Sequence, residues 1–191
     1  MGGFAPGLFP KTEIQIRNYM ITFEFIDKKD PDAALKELFP LLFANMDAIA
    51  PTGEGYEKDF EEWFGAVRPA IEKPQRNIIV IRRSGLLVGF FQYYVNDMTF
   101  MMEEIQLAPS VWGAGVFEAL YAYLKDIVPQ ETPFVEAYAH RLNEKSQGIL
   151  RHLGLEPVGT EKNCIHFRGE LKRMFEVLEE SPARIPEFTV I

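Results

Sequence analysis

The segment Glu103 to Leu124, EEIQLAPSVWGAGVFEALYAYL, constrains the chain more than any other. It reads as the end of a strand, a short turn carrying Gly113 and Gly115, and then an amphipathic helix with Val116, Leu120, Tyr123, Leu124 and Ile127 on its inner side. A strand that passes through a glycine turn into a helix leaves the first helical amides unpaired, and the helix dipole adds partial positive charge there. Such a turn is a natural anion cradle, suited to the pyrophosphate of a nucleotide-bearing cofactor.

The flanking elements give the turn its context. Tyr19 to Ile26 has the β-branched and aromatic content of a first strand. Asp30 as cap and Pro31 at the first helical position predict a helix, which Pro40 should kink or divide. A second helix follows the loop Pro51 to Gly55, with Phe60, Trp63, Phe64, Val67 and Ile71 as its apolar stripe and Pro69 and Pro74 closing it. Three strands come next, Asn77–Arg82, Leu86–Val95 and Thr99–Leu107, joined by tight turns at Ser84-Gly85 and Asn96-Asp97. That antiparallel meander is unlike the repeated βαβ of a dinucleotide-binding domain. After the glycine turn and its helix, Phe134–Ala139 predicts a strand parallel to the one ending at Leu107. A helix opened by Asn143 and ended by Gly154, then a closing hairpin, complete an α/β (α+β) domain over residues 19–168. Residues 1–18 read as an N-terminal arm, and residues 169–191 as a C-terminal extension with a helical stretch at LKRMFEVLEE.

Composition narrows the function classes. A formal charge of -8 argues against non-specific nucleic-acid binding and against an anionic membrane surface, and biases the partner toward cationic substrates such as amines. The single Cys164 excludes an internal disulfide and fits a reducing cytoplasm. No apolar run reaches membrane-spanning length, so the expectation is a soluble cytoplasmic protein. His140, His152 and His166 lack metal-ligand spacing, and Cys164 reads as a core cysteine, so no metal is expected. Exposed sheet edges allow a homodimer.

The element order, with residues at two places, resembles the GCN5-related N-acetyltransferase family. Gln106-Leu107-Ala108 running into Trp112-Gly113-Ala114-Gly115-Val116-Phe117 is similar to the family's acetyl-CoA loop, and Asn143, Ser146 and Gly154-Leu155 sit where the family has Asn, Ala and Gly-Phe on the next helix. Three positions depart from the pattern. Trp112 stands for Arg or Gln, Phe117 for a small residue, and Leu150 for the Tyr with which many members protonate the departing thiolate.

The resemblance implies an acyl-CoA N-acyltransferase fold, with a mostly antiparallel mixed sheet flanked by helices. It also implies acetyl-CoA as co-substrate and a primary amine of a small molecule or peptide as acceptor. Main-chain groups of Gln106, Leu107 and Ala108 would then pair with the pantetheine arm. Amides from Gly113 to Glu118 would hold the pyrophosphate, with the ring of Phe117 turned away. Glu103 and Glu104 are the candidates for the proton-accepting step. Strict alternation would let at most one of them face the cleft, and the sequence does not choose. Tyr138 and His152 are the candidate acids in place of Leu150, and Trp63, Phe64 and Tyr93 candidate walls of the acceptor pocket. The competing readings are a protein of this fold that binds CoA or another ligand without catalysis, and a scaffold in which Phe117 fills the phosphate site.

Overall fold

The computed structural model describes residues 11–16 and 18–180. Among the described residues, eight strands form one sheet in the order β1-β2-β3-β4-β5-β6-β8-β7. They are β1 (Thr12–Ile16), β2 (Tyr19–Phe25), β3 (Arg76–Arg83), β4 (Leu86–Val95), β5 (Thr99–Leu107), β6 (Phe134–His140), β7 (Glu156–Glu161) and β8 (Cys164–Glu170). The helices are α1 (Asp32–Asp47), α2 (Tyr56–Ile71), α3 (Val116–Ile127), α4 (Glu144–His152) and α5 (Leu171–Glu180). No described helix is long and apolar enough to cross a membrane.

Burial on both faces explains the near-continuous apolar runs of β3 and β4. On one face Ile78, Val80 and Phe90 meet Leu35, Leu38, Phe39, Val67 and Ile71 of α1 and α2. On the other, Ile79, Ile81, Phe91, Phe100 and Val135 pack against α3, α4 and α5 through Leu120, Leu124, Leu150 and Met174. The expected parallel pairing of β5 with β6 is present over a short stretch only, from Thr99 opposite Phe134 to Met102 opposite Ala137. Beyond that point the strands part, and the edge of β5 from Glu103 to Leu107 opens into a cleft.

Several local expectations are corrected. Residues 12–16 of the presumed arm form β1, paired antiparallel with β2; residues 1–10 and 181–191 lie outside the described residues. The α1 helix begins at Asp32 after Pro31, without a side-chain cap from Asp30. Pro40 and Pro69 sit inside unbroken helices rather than dividing or ending them, because the apolar stripe buried on either side outweighs one lost backbone bond. Tyr93 is buried on the α3 face, stacked on Phe91, so it walls no acceptor pocket beneath α1 and α2. Cys164 is half-buried near a strand end opposite His140, not a core residue.

Candidate active site

A bulge in β5 creates the site. Gln92 of β4 lies opposite Glu104, while the next residue, Tyr93, lies opposite Met102, so Glu103 is the extra residue. The bulge breaks the alternation expected from parity. Glu103 reaches Arg76 and Gln92, and Glu104 reaches Trp63 of α2, so both carboxylates stand on the α1/α2 face. Close approach of β4 permits this strand end: a Cβ on Gly89 would lie 2.6 Å from the carbonyl oxygen of Gln106.

The two carboxylates have different surroundings. Glu103 accepts from Arg76 at 2.5 Å and from the Gln92 amide at 3.0 Å. It lines a pocket of about 250 Å³ with Arg76, Tyr94, Met101 and Tyr138. Glu104 has weaker partners, the Trp63 indole N–H and the Gln106 amide, each at 3.4 Å. Burial of its carboxyl pushes its pKa from 4.5 up to about 7, with a further upward contribution from the charge of Glu103. Glu104 closes a second pocket, of about 320 Å³, floored by Phe39, Phe43 and Trp63. Asp47, Asp59 and Glu62 also line it, and no Lys or Arg does.

Tyr138 is 42% exposed and stacks on His166 at 4.5 Å between ring centroids. His166 in turn bonds Glu136 at 2.8 Å. Burial, then the nearby Glu161 and Glu136, raise the Tyr138 pKa above its ordinary value. Its ring therefore lies across the parted strands from Glu103, in the same pocket. His152 sits on α4 away from the residues lining either pocket.

On the opposite side of the β5 end lies the glycine turn. A 3-10 turn at Pro109–Val111 leads to Gly113 and Gly115, both at positive φ, and Gly115 caps α3 in the left-handed conformation. The first bond into α3 is Ala119 N–H to the Gly115 carbonyl, which leaves the Val116, Phe117 and Glu118 amides without partners inside the helix. The β1–β2 hairpin braces this turn from behind. Tyr19 donates to the Ala114 carbonyl at 2.9 Å, and Ile16 lies 3.3 Å from where a Gly115 Cβ would be. The Phe117 ring packs on Tyr121, one turn further along α3, at 4.4 Å between centroids.

Trp112 donates its indole N–H to the Leu107 carbonyl at 3.1 Å, and Lys145 stands 3.4 Å over its ring. The same carbonyl accepts from Asn45 at 3.2 Å, and Asn45 also donates to the Gln106 side chain at 2.8 Å. Asn143 caps α4 by accepting from the Ser146 amide at 3.0 Å, so these two residues act on one another. Sequence reasoning missed Arg76, Gln92, Asn45 and Lys145. Each is an ordinary polar residue on a strand or helix, and only the bulge and the turn bring them to the site.

No protein-family model matches the chain, and no curated protein matches it in sequence. Solved structures do match in fold. The PaiA N-acetyltransferase of Thermoplasma acidophilum, in complex with coenzyme A, superposes with a TM-score of 0.64 at 12% identity over 78% of this chain and 98% of that one. Mycobacterium smegmatis RimJ in complex with CoA-disulfide gives 0.60 at 14% identity over 91% and 94%. An acetyltransferase of the GNAT family from Listeria monocytogenes gives 0.56 at 12% identity over 84% and 100%. Three helices on one face, two on the other and a mixed sheet that splits after a β5 bulge give this chain the fold of the GCN5-related N-acetyltransferases.

Proposed function

We propose that the protein transfers an acetyl group from acetyl-CoA to a primary amine by direct attack within a ternary complex. The observation that carries this reading is the β5 bulge, which sets Glu104, with a pKa near 7, where the parallel strands part. A base of that strength is half ionised at neutral pH and can take a proton from an ammonium, directly or through one water. The freed amine attacks the thioester carbonyl, the C–S bond breaks with CoA leaving as a thiolate, and the second proton of the attacking nitrogen passes to that sulfur, leaving a neutral amide and a thiol. We assign the relay of that proton to Tyr138, which lines the pocket on the Glu103 side of the parted strands, since Leu150 has no acidic hydrogen.

The glycine turn fits the cofactor in kind. The Val116, Phe117 and Glu118 amides, behind Gly113 and Gly115, suit a pyrophosphate, whereas on β5 the Leu107 carbonyl would have to give up a donor, Trp112 or Asn45, to receive an amide-bearing arm. The CoA-bound neighbours of this fold support that assignment. Holding thioester and amine in one cleft supplies much of the acceleration. The lining of the Glu104 pocket, aromatic below with Asp47, Asp59 and Glu62 around it, favours a cationic amine with an apolar segment over an anionic one.

One observation favours the non-catalytic alternative: Leu150, 7% exposed, has no proton to give, so a CoA binder without turnover would account for it. Release of free CoA thiol from acetyl-CoA, measured across cationic and anionic amines, separates the readings. We expect turnover with at least one cationic apolar amine, about tenfold or more above any amino acid. Thermal stabilisation by acetyl-CoA without thiol release from any amine would make the protein a binder.

A further inference from the structure

We propose that Gln92 holds the proton that Glu104 receives: its side-chain Oε1 is the acceptor for the O–H of the protonated Glu104 carboxyl. This is a positioning role, and as part of catalysis it rests on the transferase reading above.

Gln92 of β4 is 5% exposed and lies directly opposite Glu104 of β5 in the strand register. Its Nε2 donates to Glu103 Oε2 at 3.0 Å. A flipped amide would set oxygen against a carboxylate, so the Glu103 anion fixes which end points where. The Oε1 atom is then buried without a hydrogen-bond partner, unlike any other buried side-chain polar atom among the described residues. Buried acceptors rarely go unpaired. Bulk solvent does not reach this one as the side chains stand, so a neighbouring side chain is the natural donor.

Two other acceptors stand nearby, but each already has a donor: Gln106 Oε1 accepts from Asn45, and the two Glu103 oxygens accept from Arg76 and Gln92. Glu104, as a carboxylate, can only accept, and does so weakly from Trp63 and Gln106. Once it takes a proton, one of its oxygens becomes a donor in need of an acceptor. Gln92 Oε1 is the acceptor without a partner. A bond to the neutral acid favours protonation, the same direction as burial. Gln92 would therefore keep the base poised near neutrality and fix which oxygen carries the proton.

Other charges act on Glu104, and the test must hold them constant. They are Glu103 beside it, Arg76 from β3, Asp47 from α1, and Asp59 and Glu62 from α2. Gln92→Met deletes the acceptor at similar length but also removes the amide that donates to Glu103 Oε2, so the comparison is repeated in a Glu103→Gln background, where that charge is absent from both proteins. Infrared difference spectra recorded across a pH titration, with Glu104→Gln to identify its band, read the protonated carboxyl directly. In Gln92→Met we expect the acid C=O band to move to higher frequency and the midpoint to fall by about one unit, a tenfold weaker hold on the proton. An unmoved band with an unchanged midpoint, or a midpoint that rises, would overturn the proposal. Should Gln92→Met not fold, the wild-type side-chain NH2 resonances of Gln92 serve instead. They should shift with the Glu104 midpoint and lose that step in Glu104→Gln; resonances flat through the titration would overturn it. Neither reading requires turnover, so an inactive protein would sink the transferase assignment and leave this one standing.

Discussion

The two sides of the β5 end are furnished in opposite ways. On the α1/α2 side the chemistry belongs to side chains: Glu103, Glu104, Gln92, Arg76 and Trp63, each with its own partner and exposure. On the α3 side the proposed cofactor contacts belong to the backbone, and the side chains there mostly satisfy one another. Trp112 covers the Leu107 carbonyl, Phe117 lies on Tyr121, and Asn143 caps Ser146. A backbone cradle tolerates unusual side chains so long as glycine geometry and helix start are kept. A proton-transfer site does not, because its function is the pKa and position of one carboxyl.

That contrast predicts different sensitivities. Glu104→Gln removes the proposed base and should lower kcat/KM by about 10²- to 10⁴-fold, with acetyl-CoA binding unchanged. A comparable loss from Glu103→Gln, or none from Glu104→Gln, would dissolve the distinction between the two carboxylates.

The same substitution should stabilise the fold at alkaline pH. Glu104 has its pKa raised on folding, so the native state holds the proton more tightly and stability falls as pH rises from about 4.5 through about 7. At about 1.4 kcal/mol per unit, the cost above pH 7 reaches roughly 3 kcal/mol, or roughly 5–10 °C in melting midpoint. Glu104→Gln should recover most of it at pH 8 and none at pH 4. A gain that is the same at both would mean burial does not strain the carboxylate.

On the other side, Gly115→Asp places a carboxylate against the anion cradle. It should abolish the stabilisation by acetyl-CoA, which at a hundred times the dissociation constant is about 2.7 kcal/mol. The shift is to be read against the variant's own ligand-free midpoint, because Gly115 has φ 83° and Ile16 at its back. A preserved shift would move the cofactor elsewhere.

The smallest effect is expected from Trp112→Phe, which keeps an aromatic ring under Lys145 and deletes only the N–H donated to Leu107. Freeing one of that carbonyl's two acceptor positions for the cofactor, with Asn45 keeping the other, should tighten acetyl-CoA by about 2- to 10-fold. Weaker binding would make Trp112 part of the cofactor site rather than its competitor.

What could be read in advance follows the same division. The meander, the crossover helix, the parallel strand and the glycine turn are written in periodicity and turn residues, which act locally, so the fold was legible. Pro40 and Pro69 misled because local breakers were set against an apolar stripe whose burial is a tertiary matter. The hairpin of Thr12–Ile16 with Tyr19–Phe25 went unread because its outer strand is short and mostly polar. At the site, Glu103, Glu104 and Tyr138 could be picked out as acid–base groups near a strand end. Their shared face could not, since one extra residue in β5 reverses every inference from alternation. Gln92 carried no signal at all, because its importance is a missing partner in three dimensions.

The central claim is that a near-neutral Glu104 accepts the proton of the attacking amine. The most direct test is the pH dependence of kcat/KM for two amines of different basicity, in wild type and Glu104→Gln. We expect a limb with a midpoint near 7 that is common to both amines in wild type and absent from the variant. A limb that follows the basicity of the amine, or that survives in Glu104→Gln, would contradict it.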